Sequence, residues 1–230
     1  MEFSWSDHEE AVAARIASLA RSGMFRRPIA LAGCMGVGKT TLGGMLAELL
    51  ERPFFDTDSY VEQSSGRRID DFFLADQEAD FRRSEAVAVA ELVSRGAVVI
   101  ALGGGALLDD HSRALLRERS LLVHLHIPWR ELRVHVPELV ATRPLLRGKS
   151  LAEIHRLYLV RLSTYRAAAL RITIGHRTAA DAVSEVLVAL RSLEGAARSE
   201  EAAAPSHTAS VLEALARGRV SPTLDLDRTV

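Results

Sequence analysis

Short apolar runs and longer mixed stretches alternate along the chain, and their lengths predict its elements. Pro28-Ile29-Ala30-Leu31-Ala32 reads as a buried strand, and Thr41–Leu50 as the helix after it. Pro53-Phe54-Phe55-Asp56 is a second strand, followed by helical patterns over Tyr60–Ser64 and Ile69–Leu74 with a turn at Gly66. A longer helix runs from about Gln77 to Arg95, and Ala97–Leu102 is a third strand closed by Gly103-Gly104-Gly105. A helix near His111–Glu118 leads to a fourth strand, Leu121–His126. Pro128 opens another helical piece that Pro137 ends or kinks, and Ser150 caps a helix reaching about Ala168. Arg171–Ile174 is a fifth strand and Thr178–Leu193 the last core helix. Strands separated by helical crossovers form a parallel sheet covered on both faces, so the fold class is α/β.

Two regions fall outside this alternation. Ser6-Asp7-His8-Glu9 has the form of a capping box, and Val12, Ile16 and Leu19 then share one helical face until Ser22-Gly23. A helical extension is therefore expected over 1–25, ahead of a core domain over 26–195. From about Ala196 the composition turns to Ala, Ser, Glu and Pro, and 196–230 reads as a loosely ordered tail with a helical turn or two at Val211–Ala216.

Between the first strand and its helix stands Gly33-Cys34-Met35-Gly36-Val37-Gly38-Lys39-Thr40, the G-x-x-x-x-G-K-[ST] spacing of a phosphate-binding P-loop. Glycines let consecutive backbone N–H groups converge on one anion, and the helix after them adds its unpaired N–H groups and the positive end of its dipole. Lys39 supplies a cation for the outer phosphates, and the Thr40 hydroxyl is placed to reach Mg²⁺. A nucleoside triphosphate site follows; the second substrate does not.

Composition changes little in this picture. At 230 residues, 48% hydrophobic and 26% charged, the chain suits one sizeable core with appendages. A formal net charge of −1 gives no case for nucleic acid or an anionic membrane as partner. The single cysteine, Cys34, excludes an internal disulfide and fits a reducing cytoplasm. Its position in the P-loop reads as small filler in preference to an oxidation-sensitive thiol. No secretory signal and no apolar run long enough to span a bilayer is visible, and a cytoplasmic monomer is expected. The eight histidines show no metal-ligand spacing; His124 and His126, like Trp5 and Trp129, read as packing residues.

Such sheets bind ligands beyond the carboxyl ends of their strands, where the P-loop, Asp56/Asp58 and the glycine triplet all fall. On an extended chain Asp56 and Asp58 point the same way, into the cleft. One would hold Mg²⁺; the other would take the proton of an attacking hydroxyl; the plainer alternative is that either only caps the next helix. Arg82 has Glu85 three residues on, a brace that lets a guanidinium clamp a carboxylate, although arginine pairs such as Arg82-Arg83 are usually solvated surface. Gly103-Gly104-Gly105 is either a close backbone approach to a ligand or a flexible turn. Arg143-Pro144-Leu145-Leu146 follows Val136–Thr142, which has few structural signals and reads as a mobile lid bringing Arg143 onto a transferring phosphate.

In this order, Gly33–Thr41, Phe55-Asp56-Thr57-Asp58, Phe81-Arg82-Arg83-Ser84-Glu85, Leu102-Gly103-Gly104-Gly105, Arg143-Pro144-Leu145-Leu146 and Arg161 with Tyr165 resemble the shikimate kinase family from about Ile29 to Leu193. The resemblance implies a P-loop NTPase fold, a five-stranded parallel sheet with the P-loop strand central and a lid, and transfer of the ATP γ-phosphoryl to the 3-hydroxyl of shikimate. It implies Gly36, Val37, Gly38, Lys39, Thr40 and Thr41 around the phosphates, and Mg²⁺ at Thr40 and Asp56. Asp58, Arg82, Gly103, Gly104, Gly105 and Arg161 would hold shikimate, and Lys39, Asp58 and Arg143 would carry the chemistry. The sequence departs from the family pattern in three places. Val136 and its neighbours lack the further basic lid residue, Arg133 being the nearest. Ser163 replaces a proline, and Gln77 a glycine. Two rivals stand beside this reading: a kinase for a related cyclitol or aminoshikimate, and a non-catalytic nucleotide- or metabolite-binding module.

Overall fold

In the computed structural model, residues 27–175, 179 and 181–190 are described. The expected extension over 1–25 and tail over 196–230, with Trp5 in the former, lie outside the described residues.

Five parallel strands run in the order β2-β3-β1-β4-β5: β1 (Ile29–Ala32), β2 (Phe54–Asp56), β3 (Val99–Ala101), β4 (Leu121–His126) and β5 (Leu170–Thr173). The β1 strand is central, pairing with β3 from Ile29↔Val99 and with β4 from Ile29↔Leu121. Its four residues are fully buried, as expected of a strand covered on both faces. Helices α1 (Lys39–Leu49), α2 (Thr57–Ser65), α3 (Ile69–Leu74), α4 (Glu78–Ser94) and α5 (Asp110–Arg119) make the first three crossovers. The β4–β5 crossover holds α6 (Trp129–Leu132), α7 (Val136–Thr142) and α8 (Leu151–Thr164). Residues 181–190 are helical, with Ala182, Val183, Val186 and Leu187 buried.

Local chemistry explains most element ends. Ser150 and Glu153 form a reciprocal capping box at α8, Ser150 N donating to Glu153 Oε2 at 2.7 Å and Glu153 N to Ser150 Oγ at 3.3 Å. Asp109 caps α5 by accepting from Ser112 N at 2.7 Å, which holds its carboxyl below the usual range. The middle of the chain corrects two expectations. Val136–Thr142 is helix, and Pro137 stands in its first turn, where a missing N–H costs nothing. Asp58 does not extend β2: the helix begins at Thr57, so Asp56 is its cap and Asp58 lies in its first turn.

The histidines and the tryptophan pack as expected. His124 is buried against Tyr165, ring centroids 4.7 Å apart, and burial lowers its pKa to about 4, so it is neutral. Trp129 stacks on His155 at 4.4 Å.

Candidate active site

The P-loop wraps the carboxyl end of β1. Gly36 and Gly38 have φ of 81° and 86°, left-handed values that favour glycine, and Gly38 caps α1. Lys39 Nζ donates to the carbonyls of Gly33 (2.8 Å) and Cys34 (3.1 Å). Burial pulls the Lys39 pKa down to about 8, against the attraction of Asp58. Cys34 is buried, its thiol pushed up by burial. It is filler, as the sequence suggests.

Asp56 serves two elements at once. Its Oδ1 accepts from Asp58 N (3.0 Å) and Ser59 N (3.4 Å), and its Oδ2 accepts from the Thr40 hydroxyl at 2.7 Å. Capping and cleft-lining are thus one role. Among the described residues, no group of three or more His, Cys, Asp or Glu forms a metal cage. The hydroxyl–carboxylate pair nevertheless fits Mg²⁺, which takes one or two side-chain oxygens and completes its shell with phosphates and water.

A cleft of about 390 Å³ joins these residues to the acceptor side. Lys39, Thr40, Asp56, Asp58, Arg82, Gly104, Gly105, Arg143 and Arg161 all line it. Gly36, Val37, Gly38, Gly103 and Thr41 do not, though each directly neighbours a residue that does or belongs to the same loop. Arg133 does not line it either, and Val136 is buried, lining a small apolar cavity together with Cys34 and Leu139. Asp58 Oδ1 is buried with no hydrogen-bond partner among the described residues, and burial, then Asp56, raises the Asp58 pKa against Lys39, Arg143 and Arg82. That oxygen is enclosed beside Gly103, while Asp58 as a residue lines the cleft, where a carboxylate suits a ligand hydroxyl.

The α4 helix aims Arg82 with two carboxylates, Glu85 at 2.7 Å and Glu78 at 3.0 Å. The predicted i,i+3 brace is present, and Glu78 adds an i,i+4 partner that sequence reasoning did not assign. Burial raises the Glu85 pKa, against the Arg82 charge.

The glycine triplet has a use the sequence reading did not foresee. A Cβ on Gly103 would lie 2.3 Å from Glu85 Oε1 and 2.5 Å from Asp58 Oδ1. One on Gly104 would lie 2.9 Å from Arg161 Nη1, and one on Gly105 2.3 Å from Arg82 Nη1. Each glycine therefore leaves room for a charged group of the cleft itself. Two hydroxyls fix this loop: Thr57 Oγ1 accepts from Gly103 N at 2.7 Å, and Tyr165, fully buried, donates to Gly104 O at 3.4 Å. Beyond α7, Arg147 pairs with the cleft-lining Asp70 of α3 at 3.2 Å. Those three contacts escaped sequence reasoning; only Thr57, between two aspartates, carries any local signal.

Comparison with known proteins follows the same lines. The shikimate kinase family model matches residues 35–191. A shikimate kinase of Burkholderia pseudomallei is 42% identical over 142 residues, 60% of this chain and 74% of that protein. One from Symbiobacterium thermophilum is 39% identical over 166 residues, 71% of this chain and 95% of that protein. The structure of the Acinetobacter baumannii shikimate kinase in complex with shikimate superposes with a TM-score of 0.67 at 32% identity, covering 75% of this chain and 97% of that one.

Proposed function

The chain belongs to the shikimate kinase family, and we propose that it transfers the γ-phosphoryl group of ATP to the 3-hydroxyl of shikimate. One juxtaposition carries the reading: the P-loop Lys39 and Thr40 share a single cleft with Asp58, Arg82 and Arg161. A triphosphate needs the first pair, and a small ring acid bearing one carboxylate and several hydroxyls suits the other three.

Phosphoryl transfer asks for alignment and charge stabilisation more than covalent chemistry. The P-loop N–H groups and Lys39 hold the phosphates. Thr40 and Asp56 are the side chains that hold Mg²⁺, which supplies charge neutralisation across the phosphates when bound. Arg82 and Arg161 clamp the shikimate carboxylate, the triplet loop seats the ring, and the Asp58 carboxylate accepts the hydrogen bond of the attacking hydroxyl and takes its proton. Arg143 sits on the transferring group. No helix among the described residues is long and apolar enough to cross a membrane, and a cytoplasmic monomer remains our reading.

A coupled ADP-release assay with shikimate, quinate, aminoshikimate and gluconate tests the proposal. Shikimate should give the highest kcat/KM. Preference for aminoshikimate would move the enzyme to the related cyclitol kinases, and nucleotide binding without ADP release from any acceptor would make it a binding module.

A further inference from the structure

Thr57 is fully buried and does not line the cleft, yet both of its neighbours do. Its hydroxyl accepts the Gly103 N–H at 2.7 Å, joining the carboxyl edge of β2 to that of β3 across 46 residues of sequence. The two segments so joined hold different halves of the acceptor site. Thr57 opens α2, whose first turn carries Asp58. Gly103 begins the loop whose next two Cα positions are backed by Arg161 and Arg82. The close approach of Asp58 Oδ1 to Gly103 shows how little slack lies between the halves.

Granting the shikimate kinase reading, we infer that Thr57 is a positioning residue for the acceptor: its hydroxyl sets the distance between the Asp58 carboxylate and the loop that seats the two arginines. It touches no reacting atom. A threonine here supplies two things, a methyl for the buried pocket and an oxygen for the N–H. Only the oxygen matters to the register, because without it the Gly103 N–H loses its partner and the loop shifts to find another.

The test compares Thr57→Val, which keeps the shape and removes the acceptor, with Thr57→Ser, which keeps the acceptor and removes the methyl. The valine variant should show shikimate KM raised about tenfold, or about 1.4 kcal/mol, with the ADP Kd measured without shikimate within about twofold of the parent. The serine variant should return shikimate KM to within about threefold. Unchanged shikimate KM in Thr57→Val, an equal loss of ADP affinity, or a serine variant as impaired as the valine one would overturn the inference. Should Thr57→Val not fold, hydrogen exchange in the unmodified protein decides: the Gly103 amide should be strongly protected, and exchange at the rate of an open loop would overturn it. A parent inactive on shikimate would fault the functional reading; an active parent whose valine variant keeps its KM would fault this inference alone.

Discussion

Replacing Arg82 with alanine should do two separable things. The first is loss of a carboxylate clamp. Hydrogen bonds to charged groups contribute about 1.5–3 kcal/mol, so shikimate KM should rise roughly 10- to 150-fold. The second follows from what Arg82 leaves behind. Glu85 has only 4% of its side chain exposed, against 26% for Arg82. Removing one partner of a buried pair strands the other charge, at about 3–5 kcal/mol when both are fully enclosed; Arg82 reaches solvent, so about 2–3 is expected. For a chain of this size that lowers Tm by roughly 4–12 °C. The pH dependence carries the sign. Burial already raises the Glu85 pKa, and Arg82 is the first of the causes opposing it. Without Arg82 the folded-state value climbs further above the unfolded one. An acid so shifted costs stability above its folded pKa and nothing below its unfolded pKa, so the Tm deficit should shrink as pH is lowered toward the ordinary glutamate range. The double variant Arg82→Ala/Glu85→Gln removes the stranded charge and should recover most of the Tm while KM stays high. Thermal melts across pH, paired with initial rates against shikimate, read both effects. A single variant with parental Tm, or a double variant that recovers KM, would refute the reasoning.

Arg143→Ala should lower kcat by about 10³–10⁵ and change shikimate affinity little, measured by steady-state rates and calorimetry; comparable turnover would remove Arg143 from the transferring group. Burial holds the Lys39 pKa near about 8 in the nucleotide-free protein, and a polyphosphate favours the charged amine. Nucleotide binding should therefore take up a proton above about pH 8, and affinity should fall as pH rises through that value. Calorimetry in buffers of different ionisation enthalpy would detect the uptake, which Lys39→Met should abolish. Gly105→Ala would set a Cβ 2.3 Å from Arg82 Nη1, the nitrogen that pairs with Glu85; the guanidinium must move and loosen that pair, so Tm should fall, by less than in Arg82→Ala, while shikimate KM rises roughly 10- to 100-fold.

How far the sequence reached depended on whether a signal was local. Leu121–His126 was read with its observed bounds because six apolar-rich residues are closed by Ser120 and Pro128. Ile69–Leu74 was read correctly too, isolated by Gly66 and by the turn at Ala75. Val136–Thr142 was misread because proline carries two opposite meanings: a break inside a helix, a favoured residue at its start. Asp56 and Asp58 do meet at one cleft, but as the cap and first turn of a helix and not as alternate residues of a strand. Two residues apart on a strand and cap-plus-first-turn of a helix both converge side chains, and the sequence offered no means to tell them apart.

Contacts distant in sequence left no such trace. Thr57 to Gly103 spans 46 residues, Tyr165 to Gly104 spans 61, and Arg147 to Asp70 spans 77. Arg161 is the instructive middle case, since only the family resemblance named it. Yet Ile154, Tyr158, Arg161 and Tyr165 recur at the spacing of one helical face, and all four are buried. An arginine in the apolar row of a helix whose start is fixed by a capping box must meet a partner or a ligand, because a buried guanidinium alone is costly. Among the described residues its Nε has no hydrogen-bond partner, and its Nη1 lies against Gly104 on the cleft wall. Periodicity alone could therefore have marked Arg161 as a ligand-facing charge. The partner proposed for it, a carboxylate clamped jointly with Arg82, rests on the fold bringing α4 and α8 to one cleft.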